Sequence, residues 1–444
     1  MSRQSECPDG PLVASRFNFG VDLPGGRKAV LNTFTGALAI VKGDTWRCYL
    51  QPDGELRPSR ARPSSERDLL YSQGFLVAPE VDELELLRIR AQSARYNAAK
   101  LGVTVVPTLA CNLACRYCFE GAAREAGGGR LMSKDMEREI ACHIAAAARG
   151  KKKVDICWFG GEPLLAAKTI TRISSRLIPA CDQVGVKYSA YLVTNGCLLD
   201  REVIAALLAC RLRFIHVTVD VPAAERQDRR GRATIDRVLD NLALAARKFP
   251  THLRINVISD DEAEFDRLYD GLIRRRLHSS LKDFYFAYVF GPECGARGSG
   301  FQASGYPSFV RTVIRERCKA RALGLPVNVS CQLEPLGCDA TSLTHEVIGP
   351  DGLLYKCPDD VGLRERAYGS VSAGVAVKPS NWTPWLTYDW MKDGRCARCP
   401  ALPGCGGGCP HKRMFQPGHF ENIDYCRGSL QELEDRIRLC AEGS

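Results

Sequence analysis

The residues best placed to do chemistry are three cysteines in the stretch Cys111-Asn-Leu-Ala-Cys115-Arg-Tyr-Cys118. Their C-x3-C-x2-C spacing, just after the β-like run Gly102 to Leu109, folds three thiolates around one point. Thiolates are soft ligands that select zinc, copper(I) or iron–sulfur clusters. A closed zinc site needs four ligands, and no nearby residue is an obvious fourth. Three thiolates on a cubane of four irons leave one iron open, and an open iron can chelate the amino and carboxylate groups of a small molecule. A zinc site is the alternative. A second constellation follows late in the chain: Cys338, Gly352 and Cys357 in a C-x13-G-x4-C pattern, then Cys396-Ala-Arg-Cys399, Cys405, Cys409 and Cys426. Cys331, seven residues before Cys338, makes eight thiols. Structural zinc is again the alternative.

The triplet, with the aromatic Tyr117 inside it, resembles the motif of the radical S-adenosylmethionine (SAM) superfamily. The resemblance implies a 4Fe–4S cluster on Cys111, Cys115 and Cys118. It also implies SAM bound at the open iron and cleaved to a 5′-deoxyadenosyl radical that abstracts hydrogen. Trp158-Phe-Gly-Gly-Glu-Pro163 resembles the family's Gly-Gly-Glu-Pro motif: Gly160 and Gly161 allow backbone approach to a ligand, Glu162 accepts from the SAM ammonium, and Pro163 stiffens the exit. By the same resemblance Thr194, Asn195, Thr218, Asp220, Arg230 and Asn256 are candidate SAM or substrate contacts, although Val221-Pro222 stands where relatives usually have glycine after the strand-four aspartate. The late cysteines resemble the SPASM signature, which implies two auxiliary 4Fe–4S clusters. By analogy Cys331, Cys338, Cys357 and Cys409 hold the inner cluster, and Cys396, Cys399, Cys405 and Cys426 the outer one.

The elements that must position these groups are readable from periodicity. Candidate strands at 103–109, 154–159, 187–194, 213–219, 252–258 and 283–290 alternate with helical patterns at about 133–149, 164–181, 200–210, 233–248 and 261–275. Six β/α units predict a parallel, barrel-like sheet, with the site at the C-terminal ends of its strands. The family fold, a partial (β/α)6 barrel of TIM type, covers this segment. Before it, strand–turn–strand patterns from Phe17 to Leu23, Lys28 to Asn32, Ala37 to Val41 and Thr45 to Tyr49 precede a helix from Val81 to about Ala99. That pattern resembles the PqqD-like, winged-helix α+β peptide-recognition unit. The expected division is 1–97 for this unit, 98–300 for the barrel and 301–444 for the SPASM domain, with residues 291–308 as a linker or substrate loop.

Length predicts roughly two to three domains. Hydrophobic content of 45% supports a sizeable core. There is no apolar run long enough to span a bilayer and no apolar signal core, so a cytoplasmic protein with no membrane partner is expected. The chain has 21 cysteines, and in a reducing compartment such a number points to metal rather than disulfides. The formal charge of +10 allows an acidic or nucleic-acid partner. The basic residues are dispersed, however, and no nucleic-acid role is expected; a zinc-stabilised nucleic-acid-binding protein is the distant alternative.

The resemblance implies an enzyme that oxidatively modifies a ribosomally made precursor peptide, forming a thioether or carbon–carbon cross-link, with flavodoxin or ferredoxin as electron donor. Anaerobic sulfatase maturation to formylglycine is the alternative, although Pro358 here separates Cys357 from Asp359. Maturation of a quinone-bearing subunit is a further one. Asp359 is the candidate substrate-side base.

Overall fold

The computed structural model describes residues 7, 10–51, 65–118, 120, 129, 131–222, 234–289, 305–329, 337–372, 378–415 and 423–442. Arg230 and Cys331 lie outside these residues, as does most of the expected 291–308 linker, whose last residues, Tyr306 to Ser308, begin the helix Tyr306–Ala322. The chain forms two units: one of residues 1–96, 329–338 and 388–444, the other of residues 97–328 and 339–387. Among the described residues no helix is long and apolar enough to cross a membrane.

In the first unit the short strands β1 (Val13–Ala14) and, later, β5 (Leu76–Val77) pair antiparallel. Between them β2 (Asn18–Leu23), β3 (Arg27–Asn32) and β4 (Leu38–Lys42) form a meander in that order. The turn between β2 and β3 is Pro24-Gly-Gly26, with both glycines at positive φ, a conformation that costs glycine little. The expected fourth strand, Thr45 to Tyr49, is helical instead, from Gly43 to Leu50. The reason is Trp46, whose ring is buried and lies over β2, where a Cβ on Gly20 would sit 2.7 Å from it. The helical turn points that ring back onto the sheet among Leu12, Val30 and Leu50. The helix expected at Val81–Ala99 runs Glu83–Arg95, with Asp82 as N-cap accepting from the Glu85 N–H. The other side of the meander packs on the C-terminal segment. Val21, Ala29 and Leu31 join Ala401, Leu433 and Ile437 in one buried cluster, and Phe17 and Leu87 join Trp390, Met391 and Leu402 in another.

In the second unit β6 (Lys100–Val105), β7 (Lys153–Trp158), β8 (Lys187–Thr194), β9 (Leu212–Val221), β10 (Thr251–Val257) and β11 (Asp283–Tyr288) are parallel neighbours in sequence order. The first is shorter than expected because Pro107 has no N–H to continue the ladder; the chain bends and Pro107 O accepts from the Met132 N–H. On the other side of β6 the sheet continues with β12 (His345–Ile348), parallel, and β13 (Leu353–Tyr355) and β14 (Gly369–Ser370), antiparallel. The connecting helices are Lys134–Ala148, Ala167–Gln183, Arg201–Leu207, Ile235–Ala245 and Glu262–Arg274. Every second strand residue faces them: Val103, Ile156, Leu192, Val217 and Ile255 share one core with Ile144, Ile173, Leu242 and Leu272. The alternating positions between them, on the inner face of the sheet, include the polar residues Asp155, His216, Thr218, Asp220, His252, Arg254 and Asn256.

The Trp46–Gly20 contact is testable. Gly20→Ala is expected to destabilise the protein by about 1–3 kcal/mol through overpacking, read as a lower denaturation midpoint, whereas Gly10→Ala, which meets open space, leaves the midpoint unchanged.

Candidate active site at the strand ends

The cysteine loop follows β6 and is held by the loop after β7. Gly161 N–H donates to Thr108 O (3.2 Å) and Glu162 N–H to Ala110 O (2.8 Å). The two glycines of the Gly-Gly-Glu-Pro stretch serve this contact. A Cβ on Gly160, which has φ 126°, would sit 2.6 Å from Thr108 O, and one on Gly161 would sit 2.4 Å from Ala110 O. The backbone that they admit is thus that of the cysteine loop.

Glu162 also has protein partners. Its carboxylate is wholly buried and accepts from Leu164 N–H (3.0 Å), Thr194 Oγ1 (2.7 Å) and Asn195 N–H (2.8 Å). It caps the turn Pro163–Ala166, with Pro163 in the first helical position, where a missing N–H costs nothing. The carboxylate ties the end of β8 to the turn after β7. Thr194 is likewise turned toward Glu162. Asn195 directs Nδ2 to Asn112 Oδ1 (2.8 Å) and Cys111 Sγ (3.8 Å).

The triplet fits a cluster. Cys111 Sγ accepts from Leu113 N–H at 3.4 Å as well as from Asn195. Burial pushes the Cys118 thiol up to about 12, and the negative charges of Glu120, Cys115 and Cys111 add to the rise, which places the three sulfurs in mutual range. Deprotonation of such thiols requires a bound cation. A structural zinc takes four ligands, whereas the loop supplies three thiols, Cys111, Cys115 and Cys118.

Tyr117 leaves the loop in the opposite direction, toward β9 and β10. Its hydroxyl lies 2.7 and 2.6 Å from the two Asp220 carboxylate oxygens. Asn256 Nδ2 donates to Asp220 Oδ1 (3.0 Å) and to the Tyr117 hydroxyl (3.2 Å). Sequence reading found these three residues but missed the group beneath them. Arg254 Nε donates to Asn256 Oδ1 (3.0 Å), fixing the amide so that Nδ2 faces Asp220. Register sets three polar rungs across β9, β10 and β11: Asp220–Asn256–Ala287, Thr218–Arg254–Tyr285 and His216–His252–Asp283. Tyr285 Oη lies 2.9 Å from His216 Nε2, and His252 Nδ1 lies 2.6 Å from Asp283 Oδ1. Burial, aided by the Arg254 cation, lowers the His216 pKa to about 4, so this imidazole is neutral at pH 7. The signal available in sequence was the alternation of His252, Arg254 and Asn256 with Leu253, Ile255 and Val257.

The late cysteines divide between the units. Cys357, buried, follows β13, and the half-buried Asp359 lies in the turn Pro358–Asp360 after it, where Asp360 N–H donates to Cys357 O at 3.1 Å. Cys338 and Cys409 belong to the first unit. So do Cys396, Cys399, Cys405 and Cys426, which the fold brings together. Burial raises the thiol pKa of Cys396, Cys399 and Cys405, and each of the three also feels the charge of Cys426 and of one other member of the set. Gly406, Gly407 and Gly408 all have positive φ, and the Gly407 and Gly408 N–H groups turn toward Cys405. Arg413 donates to Cys396 Sγ at 3.5 Å. The donor set and the wrapped backbone fit a cluster.

Gly161→Ala is expected to push the cysteine loop off its seat, because the new Cβ meets main-chain oxygens that cannot swing away. Iron analysis after anaerobic reconstitution should find the triplet's share of iron lost and the rest retained.

Comparison with known proteins places this geometry. Residues 105–272 match the radical SAM superfamily model. The chain is 27% identical over 327 residues to a serine-type anaerobic sulfatase-maturating enzyme of Klebsiella aerogenes, covering 68% of this chain and 77% of that protein. It is 20% identical over 380 residues to the radical SAM cyclopropyl synthase TigE of Paramaledivibacter caminithermalis, covering 76% and 75% of the two chains. Among solved structures, native anSMEcpe with bound AdoMet and Cp18Cys peptide superposes with a TM-score of 0.58 at 17% identity, over 78% of this chain and 100% of that one; this last likeness is one of fold. Residues 105–272 form a radical SAM domain, which implies a 4Fe–4S cluster and SAM as cofactors and marks the chain as an enzyme.

Proposed function

We propose that this enzyme is a maturase that oxidises a side chain of a peptide or protein. The observation that carries the substrate class is the span of the likeness to the sulfatase-maturating enzyme, which reaches well beyond the radical SAM domain. When bound, the 4Fe–4S cluster supplies one electron to the SAM sulfonium, which releases methionine and a 5′-deoxyadenosyl radical. Cys111, Cys115 and Cys118 hold that cluster. Tyr117, Asp220 and Asn256 form the polar wall on which SAM is oriented, with Arg254 locking the Asn256 amide, and Thr218 lies one rung below. Arg230 is the proposed partner of the SAM carboxylate.

The net reaction removes two hydrogens from the substrate. One leaves as an atom to 5′-deoxyadenosine. The other leaves as a proton and an electron. Asp359, two residues from Cys357, accepts the proton. We assign the electron's exit to the late cysteines: Cys396, Cys399, Cys405 and Cys426 as one auxiliary 4Fe–4S site, and Cys331, Cys338, Cys357 and Cys409 as the other. A flavodoxin or ferredoxin supplies the first electron.

Two substrates fit. A ribosomal precursor peptide docks its leader as an added strand on the edge of β4, which pairs only with β3 among the described residues; strand addition gives affinity through main-chain bonds. A sulfatase is the second, favoured by the sulfatase-maturating relative. Anaerobic turnover with SAM and a reductant, read by mass spectrometry, separates them. Conversion of a sulfatase-derived serine or cysteine peptide to formylglycine selects the second, and a cross-linked precursor peptide the first. Modification of neither peptide class, under conditions where SAM is cleaved, removes the maturase reading.

Replacing Cys111, Cys115 and Cys118 by Ala is expected to abolish 5′-deoxyadenosine formation while leaving about eight of roughly twelve irons per chain, since each auxiliary site takes four thiolates. Asp359→Asn is expected to retain SAM cleavage and to lower product at least about tenfold, within the range general base catalysis contributes. Normal product yield from that variant assigns the proton to another group.

A further inference from the structure

We infer that Asn195 is a positioning residue for the Cys111 thiolate, held by Glu162, and that it raises the reduction potential of the cluster which that thiolate ligates. The inference rests on the proposal that Cys111 is a cluster ligand.

The orientation of the Asn195 amide follows from its partners. Asn195 Oδ1 accepts from the Cys197 N–H at 3.0 Å, the local bond that asparagine side chains make to backbone two residues on. Nδ2 therefore points the other way, to Asn112 Oδ1 and Cys111 Sγ, and a flipped amide would set Nδ2 against an N–H. The backbone carrying Asn195 is fixed from three sides. Glu162 takes its N–H, Thr194 Oγ1 accepts from the Gly196 N–H at 3.1 Å, and Asn241 Nδ2 donates to Gly196 O (2.9 Å) and Cys197 O (3.1 Å). Gly196 has φ 76°, and a Cβ there would meet Val217 at 2.9 Å. Asn195 itself is 8% exposed. The donor is thus set in place by the protein itself, and part of its rigidity comes from the buried Glu162 carboxylate.

A donor held against a cluster thiolate draws electron density from the sulfur and favours the reduced, more negative state, which raises the potential. Cys111 Sγ has a second donor in Leu113 N–H, but that bond is made by the cysteine loop to itself. Asn195 is a donor from outside the loop, so it links the potential to the geometry of β8 and Glu162.

The test is an EPR-monitored redox titration of the reconstituted full chain, following the signal that changes when SAM is added. Asn195→Leu removes the donor. Asn195→Asp keeps the side-chain volume and the acceptor for Cys197 N–H but replaces the donor by an anionic oxygen. At parental iron content, both variants are expected to shift the midpoint of the SAM-responsive signal to more negative values, Asn195→Asp by more. A midpoint equal to the parent's in either iron-loaded variant overturns the inference. A parent protein with no SAM-responsive signal instead overturns the assignment of the cluster to the triplet, so the two failures are distinct.

Discussion

A carboxylate with no exposure must be matched by donors, because an unpaired buried charge costs several kcal/mol. Glu162 is matched by three, from Leu164, Thr194 and Asn195, and much of the site depends on that match. It joins the turn after β7 to the end of β8. The N–H of the same residue holds Ala110 of the cysteine loop. The glycines before it let the loop come close enough to be held. The ends of three adjacent strands thus form one hydrogen-bonded platform, and the cysteine loop and Asn195 stand on it.

The second half of the site is organised by the inner face of the sheet. Barrel interiors of this type are usually filled by branched apolar side chains. Here β9, β10 and β11 present hydrogen-bonded polar rungs instead, from His216 at the lower level to Asp220 and Asn256 at the upper. Arg254 fixes Asn256 on the rung above, and within that rung Asn256, with Tyr117, fixes Asp220. A polar network that is satisfied in this way gains rigidity from the low dielectric around it.

Much of this was legible from sequence. The cysteine spacing is dictated by ligand geometry, and the six strands and five helices follow from apolar periodicity, with boundaries a few residues off. The protein contacts of Gly160, Gly161 and Glu162 were not legible, because a motif gives residue types and spacing but not the partner that a side chain meets. Arg254 and His216 were passed over since a polar residue in an alternating strand reads as solvent-facing, and only closure of the sheet turns that face inward. Thr45 to Tyr49 alternates like a strand, yet Trp46 buries more by curling back over Gly20. The union of the N-terminal meander with the C-terminal segment had no local signal at all: Arg16 Nη2 donates to Ala397 O (2.6 Å) across 381 residues.

That last pairing sets an order of assembly. Cys396 and Cys399 pack against the cluster built on Phe17 and Leu87, and Cys399 also touches that of Val21, Ala29 and Leu31. Thr33 Oγ1 donates to Pro400 O. The wall behind one four-thiol group is therefore made from residues that leave the ribosome well before its sulfurs do. Domains fold as units and N-terminal parts emerge first, so residues 97–387 have a complete strand set before the earlier meander finds its partner. Cys111, Cys115 and Cys118 stand in that earlier unit. The four-thiol group takes its final surroundings only once residues 396–437 have joined the meander.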